Sequence, residues 1–276
     1  MPPSTFKSSV SVTHITTATV LLEINGVAFL TDPVFGEANV PHEITRLFPH
    51  ATEPVFTSST EGPALGLDQL PPIDAVLLSH EDHCDNLDPQ GRQLLDGRRV
   101  ITTPDGAKNL APRPGVFAIE SWETQTHHFG GVKYAVTGTP CIHLPGGETT
   151  GFVLHTEAFG INGDGRPNVI WIPGDTIYLE EFTQVKDRFN VVLAILNLGA
   201  AKVMWPGQEE PLQITMGGSD AARLMQAAGV ETIIPVHYES WHHFTELGDE
   251  LRKVLDKAGL LDKVVWVEPG VKRTIF

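Results

Sequence analysis

The sequence is poor in cysteine, in long apolar runs and in basic residues, and each shortage excludes a class of protein. Its 276 residues contain two cysteines, Cys84 and Cys141, too few for the disulfide framework of a small secreted domain. No apolar run reaches the roughly 18 residues that a membrane-spanning helix needs. The first residues lack the charged-then-apolar pattern of a signal peptide, and we therefore expect a cytoplasmic protein.

The shortage of basic residues argues against a polyanionic partner. Lys and Arg number 19 against 34 Asp and Glu, which gives a formal net charge of −15 at pH 7. Nucleic-acid binding needs a basic surface that displaces counterions, and the longest basic runs here are pairs such as Arg98-Arg99. We therefore expect a small-molecule substrate and no nucleic-acid partner.

Strand and helix patterns alternate along the whole chain without an internal repeat or a linker. We predict one domain over residues 1–276, built in two successive halves, 10–155 and 169–276. Residues 36–73 are irregular and rich in Pro, Gly, Ser and Thr, which is typical of a loop that covers a functional pocket. The apolar pattern predicts helices at Pro104–Leu110, Gly218–Ala228 and Glu246–Ala258, and strands at Val132–Thr139 and Val264–Val267. We interpret Ala201–Gln213 as a loop.

The most informative stretch is a dense set of metal-binding side chains at the end of a predicted buried strand. The apolar run Ala75–Leu78 has the length of a strand, and residues 80–86 that follow it read His, Glu, Asp, His, Cys, Asp, Asn. Imidazoles and carboxylates held by a rigid sheet are suitable ligands for a borderline metal such as zinc. A solvated loop rarely contains so many of these residues in so short a segment.

Four other predicted strands end in a residue of the same chemical kind. These residues are Asp32, His143, Asp175 and His237. Each has an ordinary alternative role, because a turn carboxylate or a packed histidine is common at such places. Gly174 precedes Asp175 and allows a close approach of the backbone, which favours a site there.

The motif of residues 80–86 and the order of these strand ends resemble the metallo-β-lactamase superfamily. The hallmark of that superfamily is His-x-His-x-Asp-His after a strand, and the group that this chain resembles most is the L-ascorbate-6-phosphate lactonase-like hydrolases. The resemblance covers nearly the whole chain. It implies an α/β fold of the metallo-β-lactamase-like αββα sandwich type, with the ligands at one edge of two facing sheets.

The resemblance also implies a role for each candidate residue. His80, His83 and His143 would hold one metal, Asp85 and His237 a second, and Asp175 would bridge them. Asp32 would orient ligands from behind, and Asn86 would be a weak ligand where the family has its third motif histidine. An amide is a poorer zinc ligand than an imidazole, so Asn86 puts the second metal in doubt, and one or two ions per chain are expected.

The motif departs from the family pattern in a second way, which leaves its register open. Two residues separate His80 from His83 instead of one. Without a gap, Glu81 would take the first histidine position, and Asp82 would replace His83 if the backbone follows the spacing from His80. Cys84 could be a thiolate ligand, but free cysteine is often buried, so we favour a buried neutral thiol facing the core and leave Cys84 out of the site.

The implied activity is that of a metal-dependent hydrolase that uses a metal-bound hydroxide on a small ester, lactone or phosphodiester. Zinc or manganese would supply the ion, and Asp85 would be the catalytic residue that positions the nucleophile or moves its proton. Two alternatives remain at this point. One is a single-iron oxidoreductase on the same fold, and the other is a metal-poor binding protein that has lost catalysis.

Overall fold

The computed structural model describes residues 6–205 and 207–276, and it contains two large β-sheets that face each other. Predictions that fall on residues 1–5 and 206 lie outside the described residues. The first sheet has seven strands in the order β17-β1-β2-β3-β6-β7-β8. Its strands are β1 Val10–Thr16, β2 Thr19–Ile24, β3 Val27–Thr31, β6 Ala75–Leu77, β7 Arg99–Thr102, β8 Val116–Ala118 and β17 Arg273–Thr274.

The second sheet has six strands in the order β16-β13-β12-β11-β10-β9. Its strands are β9 Thr124–Phe129, β10 Val132–Thr139, β11 Gly151–His155, β12 Asn168–Ile172, β13 Asn190–Asn197 and β16 Ile233–Val236. Strand β12 runs parallel to β13, and β13 runs parallel to β16. Since parallel strands end at the same edge of a sheet, the residues after β12, β13 and β16 lie close together.

Helices cover the outer face of each sheet. Helices α1 Pro89–Leu94 and α2 Pro104–Leu110 pack on the first sheet through Leu94 and Leu110, and the second sheet carries α3 Thr183–Arg188, α4 Gly218–Ala228 and α5 Gly248–Lys257. A central core of residues from both sheets fills the space between them. The αββα sandwich of the metallo-β-lactamase type is thus confirmed. No helix among the described residues is both long and apolar enough to cross a bilayer.

The helix capping pattern agrees with the sequence. The Asp88 carboxylate accepts a hydrogen bond from the Gly91 N–H at 2.6 Å, and Pro89 occupies the first helical position of α1. The predicted helices Pro104–Leu110 and Gly218–Ala228 and the strand Val132–Thr139 have the predicted bounds.

Three predictions about the architecture are wrong. The first sheet takes its strands from residues 10–118 and from β17, so the two sheets do not correspond to the halves 10–155 and 169–276. Val264–Val267 is not a strand, since only Val264 forms an isolated bridge, with Ile233, and the chain pairs with β1 later, at β17. The predicted loop Ala201–Gln213 contains a small hairpin of β14 Lys202–Val203 and β15 Leu212–Gln213.

Residues 36–73 form an irregular segment that packs near the ligand edge, as the prediction of a covering loop requires. A second small hairpin, of β4 His42–Glu43 and β5 Phe56–Thr57, lies within it. The Thr60 N–H donates to the Ser240 carbonyl at 2.7 Å, and Ser59 forms a bridge with Trp241. This segment is therefore attached to the loop that follows β16.

Candidate metal centre

Four strand ends bring six of the predicted ligands to one edge of the sandwich, where they form two groups. His80, His83 and His143 form the first, which we call the imidazole cluster. Asp85, Asp175 and His237 form the second, which we call the carboxylate cluster. Within each group, one potential ligand atom per residue lies within 4.8 Å of the others. The grouping is that of the predicted roles, but metal binding itself stays a prediction.

The imidazole cluster is centred on His83. His83 Nδ1 lies 2.9 Å from His80 Nε2 and 3.2 Å from His143 Nε2. His143 Nδ1 donates to the Ile214 carbonyl at 2.7 Å, which fixes the tautomer and leaves Nε2 with a free lone pair. Ser79 Oγ lies 2.8 Å from His80 Nδ1 and orients the His80 ring in a similar way.

Burial and repulsion from neighbouring histidines lower the pKa values of His80 and His143 and keep these two rings neutral. Burial, with the neighbouring His83, lowers the pKa of His143 to about 4. Burial, with His83 and His143, also holds the pKa of His80 well below its usual range. Neutral imidazoles are the form that binds a metal, so no proton on either of these two rings has to leave at neutral pH.

The carboxylate cluster is charged and incompletely paired. His237 Nε2 lies 3.4 Å from Asp175 Oδ2 and 3.7 Å from Asp85 Oδ2. Its Nδ1 donates to the Leu198 carbonyl at 3.2 Å, so Nε2 is the atom that faces the carboxylates. Asn197, at the end of β13, donates from Nδ2 to Asp175 Oδ1 at 2.6 Å and fixes that carboxylate.

The pKa values of the carboxylate cluster move towards its charged forms. Burial disfavours the His237 imidazolium, but Asp175 and Asp85 outweigh burial and raise the pKa of His237 to about 9. Burial likewise opposes ionisation of Asp85, yet the nearby histidines His237, His243 and His83 hold the pKa of Asp85 well below its usual range. The pKa of Asp175 is also lowered, against burial, by its histidine neighbours.

Three buried polar atoms at this edge make no hydrogen bond of good geometry. They are Asp175 Oδ2, His237 Nε2 and Asn86 Oδ1. Buried polar atoms in native proteins are nearly always paired with protein, water or an ion. A set of three imidazoles beside a set of two carboxylates and one imidazole, with two atoms of the second set unpaired, therefore fits one or two divalent metal ions well.

The backbone is strained where it delivers two of these residues. His237 has φ 60° and Asp32 has φ 35°, the left-handed region that costs a non-glycine residue about 1–3 kcal/mol. The His237 N–H donates to the Thr17 carbonyl at 3.0 Å, and Thr17 Oγ1 accepts from the Trp241 indole N–H at 2.9 Å. The turn between β1 and β2 thus holds both His237 and Trp241 in place.

Asp32 and Asn86 lie directly behind the ligands. The Ser79 N–H donates to Asp32 Oδ1 at 2.7 Å, and Asn86 Nδ2 lies 3.5 Å from Ser79 Oγ. Burial, followed by repulsion from Asp175, raises the pKa of Asp32 well above its usual range. Gly174 lies against the same serine, and its φ of 73° and the contacts that a Cβ would make with Thr150 favour glycine there.

The structure answers the question of register. Glu81 belongs to neither cluster and forms a partly exposed ion pair with Arg92, and its Oε1 accepts from Asn109 Nδ2 at 3.0 Å. Asp82 belongs to neither cluster, and its carbonyl accepts from Arg46. The two residues between His80 and His83 thus form an outward turn.

The interpretation of Cys84 as a buried neutral thiol is confirmed in part. Cys84 packs against a small apolar cluster that includes Leu144 and Trp241, but it is half-buried and also lines a cavity beside the two metal-ligand clusters. Burial, followed by the Asp85 charge, raises its pKa to about 12, so the thiol is neutral.

His243 has no role in the prediction from the sequence, yet it lies beside the carboxylate cluster. Its Nε2 lies 3.9 Å from Asp85 Oδ2, and its ring packs on Phe244 at a centroid distance of 4.7 Å. Sequence reasoning also missed Asn197. Its position at the end of an apolar strand parallel to β12 and β16 is a signal that could have found it.

Relatives with similar sequences are named as uncharacterised proteins or as metal-dependent hydrolases. An uncharacterised protein of Mycobacterium tuberculosis is 28% identical over 228 residues, which cover 80% of this chain and 56% of that protein. The chain thus spans about half the length of that relative. A UPF0173 metal-dependent hydrolase of Rubrobacter xylanophilus is 25% identical over 217 residues, covering 74% of this chain and 80% of the hydrolase.

Comparison with solved structures gives the same fold. The crystal structure of isothiocyanate hydrolase from Delia radicum gut bacteria superimposes with a TM-score of 0.75 at 22% identity, covering 96% of this chain and 99% of that one. At this identity the likeness establishes the fold alone. The family model of the Beta-lactamase superfamily domain matches residues 28–238, which is most of the chain, and the chain therefore belongs to that family.

Proposed function

We propose that this protein is a metal-dependent hydrolase that holds one or two divalent ions at the imidazole and carboxylate clusters. The observation that carries the proposal is the convergence of six ligand side chains in two groups, with Asp175 Oδ2 and His237 Nε2 buried and unpaired. Family membership and the metal-dependent hydrolases among the relatives support it. Zinc or manganese suits these nitrogen and oxygen donors.

A divalent ion bound there would act as a Lewis acid and would lower the pKa of a water ligand towards about 7. The residues of the chain would supply orientation and proton transfer. His80, His83 and His143 would hold one ion, and Asp85 and His237 a second. Asp175 would serve both, and Asn86 would be a weak contributor behind them. Its single amide oxygen is the reason to expect that the second ion is held less tightly.

Asp85 is the residue proposed to act in the chemistry. Its carboxylate lies on the cavity side of the centre, ionised and facing His237 and His243. From there Oδ2 can accept the proton of an attacking water while the water oxygen bonds to the carbonyl carbon or phosphorus. The bond to the leaving oxygen then breaks, and the proton passes to that oxygen, so one water is consumed.

The substrate classes proposed are small esters, lactones and phosphodiesters. Lactones are included because of the resemblance to the L-ascorbate-6-phosphate lactonase-like group. An isothiocyanate belongs in the same test, because a protein of the same fold is named as a hydrolase of such compounds. Each class contains an electrophilic carbon or phosphorus that water attacks. In an isothiocyanate, water adds to the central carbon and the proton passes to nitrogen, after which cleavage of the C–N bond releases an amine and carbonyl sulfide.

The test begins with metal analysis of protein purified without added metal, followed by assays with a panel of the four substrate classes. We expect zinc or manganese at one or two ions per chain and hydrolysis of at least one class. The variant His83→Ala should lose metal and activity together, because His83 is central to the imidazole cluster. His128→Ala, an exposed histidine on β9, is the matched control and should change neither.

Metal-free protein without hydrolytic activity, even after zinc or manganese is added, would contradict the proposal. Bound iron without hydrolysis would favour the oxidoreductase alternative.

A further inference from the structure

A cavity of about 210 Å³ lies directly beside the two clusters. Its polar side comprises His83, Asp85 and His143, together with His243. Its remaining walls come from several separate segments of the chain and are mainly apolar. The side chains that matter most for the argument are Leu47, Phe48, Leu144, Ile214 and Trp241. The cavity therefore has a reactive side and an apolar side.

Apart from the Thr57 hydroxyl and the Cys84 thiol, the apolar side offers no free side-chain group to a polar or charged ligand. The indole N–H of Trp241 already donates to Thr17 Oγ1 at 2.9 Å, so its hydrogen-bonding capacity is used. None of the described residues that line the cavity is Lys or Arg. Arg46 comes from the same loop as Leu47, but its guanidinium donates to the Asp82 carbonyl instead. An anionic group would lose its hydration there without a cation from the chain to compensate.

The volume sets the size of the group that fits. An engineered apolar cavity of about 150 Å³ is known to take up benzene. The present cavity is somewhat larger, enough for an aromatic ring with one or two further atoms. Most ligand sites have this combination of an apolar wall and a few polar groups that orient the ligand.

We propose that the substrate is an uncharged molecule whose non-reacting part is a compact apolar group, about the size of a benzyl group, bound in this cavity. The reacting group then faces Asp85 and the two clusters. The reaction in this inference rests on the proposed function, but binding of the apolar group does not. Among the proposed substrates, the apolar cavity favours neutral esters, lactones or isothiocyanates that carry an apolar group over phosphodiesters, which are charged.

The binding test uses three probes, with calorimetry on the protein as purified and again after chelation. The probes are N-benzylacetamide, N-(2-hydroxyethyl)acetamide and benzyl phosphate. N-benzylacetamide should bind about tenfold or more tightly than either of the others, because only it is both neutral and apolar. Absence of N-benzylacetamide binding, or equal or tighter binding of benzyl phosphate to the chelated protein, where no metal ion can hold the phosphate, would overturn the inference.

Two variants test the role of the apolar wall. Phe48→Ala should weaken N-benzylacetamide binding about tenfold, since it removes a ring from the wall. The matched control Phe117→Ala removes an exposed ring on β8, outside the cavity, and should leave binding unchanged. Leu47→Lys should weaken N-benzylacetamide and strengthen benzyl phosphate. If neither Phe48→Ala nor Leu47→Lys changes binding, the cavity is not the binding site.

Turnover separates this inference from the proposed function. In the metal-loaded protein, kcat/KM should be at least about tenfold higher for benzyl acetate than for 2-hydroxyethyl acetate, with most of the difference in KM. Equal values for the two esters would overturn the inference and leave the hydrolase intact. Selective binding of N-benzylacetamide without hydrolysis of any panel member would overturn the proposed hydrolase function and leave the inference about the cavity intact.

Discussion

The imidazole and carboxylate clusters lie side by side at one sheet edge, yet they differ in charge. In the imidazole cluster, burial and repulsion keep His80 and His143 neutral. In the carboxylate cluster, two acids outweigh burial and leave a proton on His237 at neutral pH. The comparison shows that histidines at neighbouring strand ends can differ in protonation: a neutral histidine can bind a metal directly, whereas a protonated one must first lose its proton.

Removal of one ligand from each cluster should have the largest effect and should separate the clusters. His143→Ala should weaken the metal affinity of the imidazole cluster by more than about 100-fold, because loss of an outer hydrogen-bond partner alone costs about 10–100-fold. His237→Ala should do the same to the carboxylate cluster. Metal titration of both variants, with circular dichroism to verify folding, is the measurement. If both variants bind metal as the wild-type protein does, neither cluster is a metal site.

Asp85→Asn tests whether the carboxylate cluster takes part in the chemistry as well as in binding. The rate should fall about 100-fold or more, mainly in kcat, since a positioned acid–base group acts in the transition state. Asp82→Asn is the matched control, because Asp82 lies in the same turn and belongs to neither cluster. The assay uses whichever substrate the panel identifies. A larger loss for Asp82→Asn than for Asp85→Asn would reverse the two roles.

The two clusters should also respond differently to pH. A metal that binds the carboxylate cluster must displace the proton of His237, whose pKa is raised to about 9. Its affinity should therefore fall about tenfold for each pH unit below that value. The pKa of His143 is lowered to about 4, so no proton leaves that ring above this pH, and affinity at the imidazole cluster should change much less between about pH 6 and 8. Titration of the His237→Ala and His143→Ala variants, which each keep one cluster, measures the two slopes, and equal slopes would remove the distinction.

The smallest predicted effect concerns the support behind the imidazole cluster. Ser79→Ala removes the hydroxyl that lies 2.8 Å from His80 Nδ1. Metal affinity of that cluster should fall by about tenfold, while the carboxylate cluster should be affected less. Ser9→Ala, at an exposed position, serves as the control. If the carboxylate cluster loses more affinity, Ser79 acts through Asn86 and Asp32 instead of through His80.

The fold class and the grouping of the strand-end residues were predicted through the resemblance to the metallo-β-lactamase superfamily, and that resemblance could be recognised because its motifs are local in the chain. A buried strand followed by a polar ligand residue is visible at Asp175 and His237 without any knowledge of tertiary contacts. The register of residues 80–86 was not predictable. The register depends on the two residues that bind Glu81, which are Arg92 and Asn109. Asn109 is 28 residues away from Glu81 in sequence.

The shape of the cavity could not be predicted from the sequence either. Its walls combine Phe48, Ile214 and Trp241, which only tertiary packing brings together. The small β14–β15 hairpin and the pairing of β17 with β1 also depend on distant neighbours, because such short strands carry little periodicity.

The hydrogen bonds at Thr17 have a consequence for the order of folding. Thr17 lies between the first two strands, whereas His237 and Trp241 follow the last strand of the other sheet, and the bond to Trp241 joins residues 224 positions apart. The imidazole cluster likewise takes His80 and His143 from different sheets. Neither cluster can therefore form until the two sheets have docked, and long-range contacts of this kind form slowly. Metal uptake during refolding should lag behind the formation of secondary structure, which makes a bound ion a marker of the final docking step.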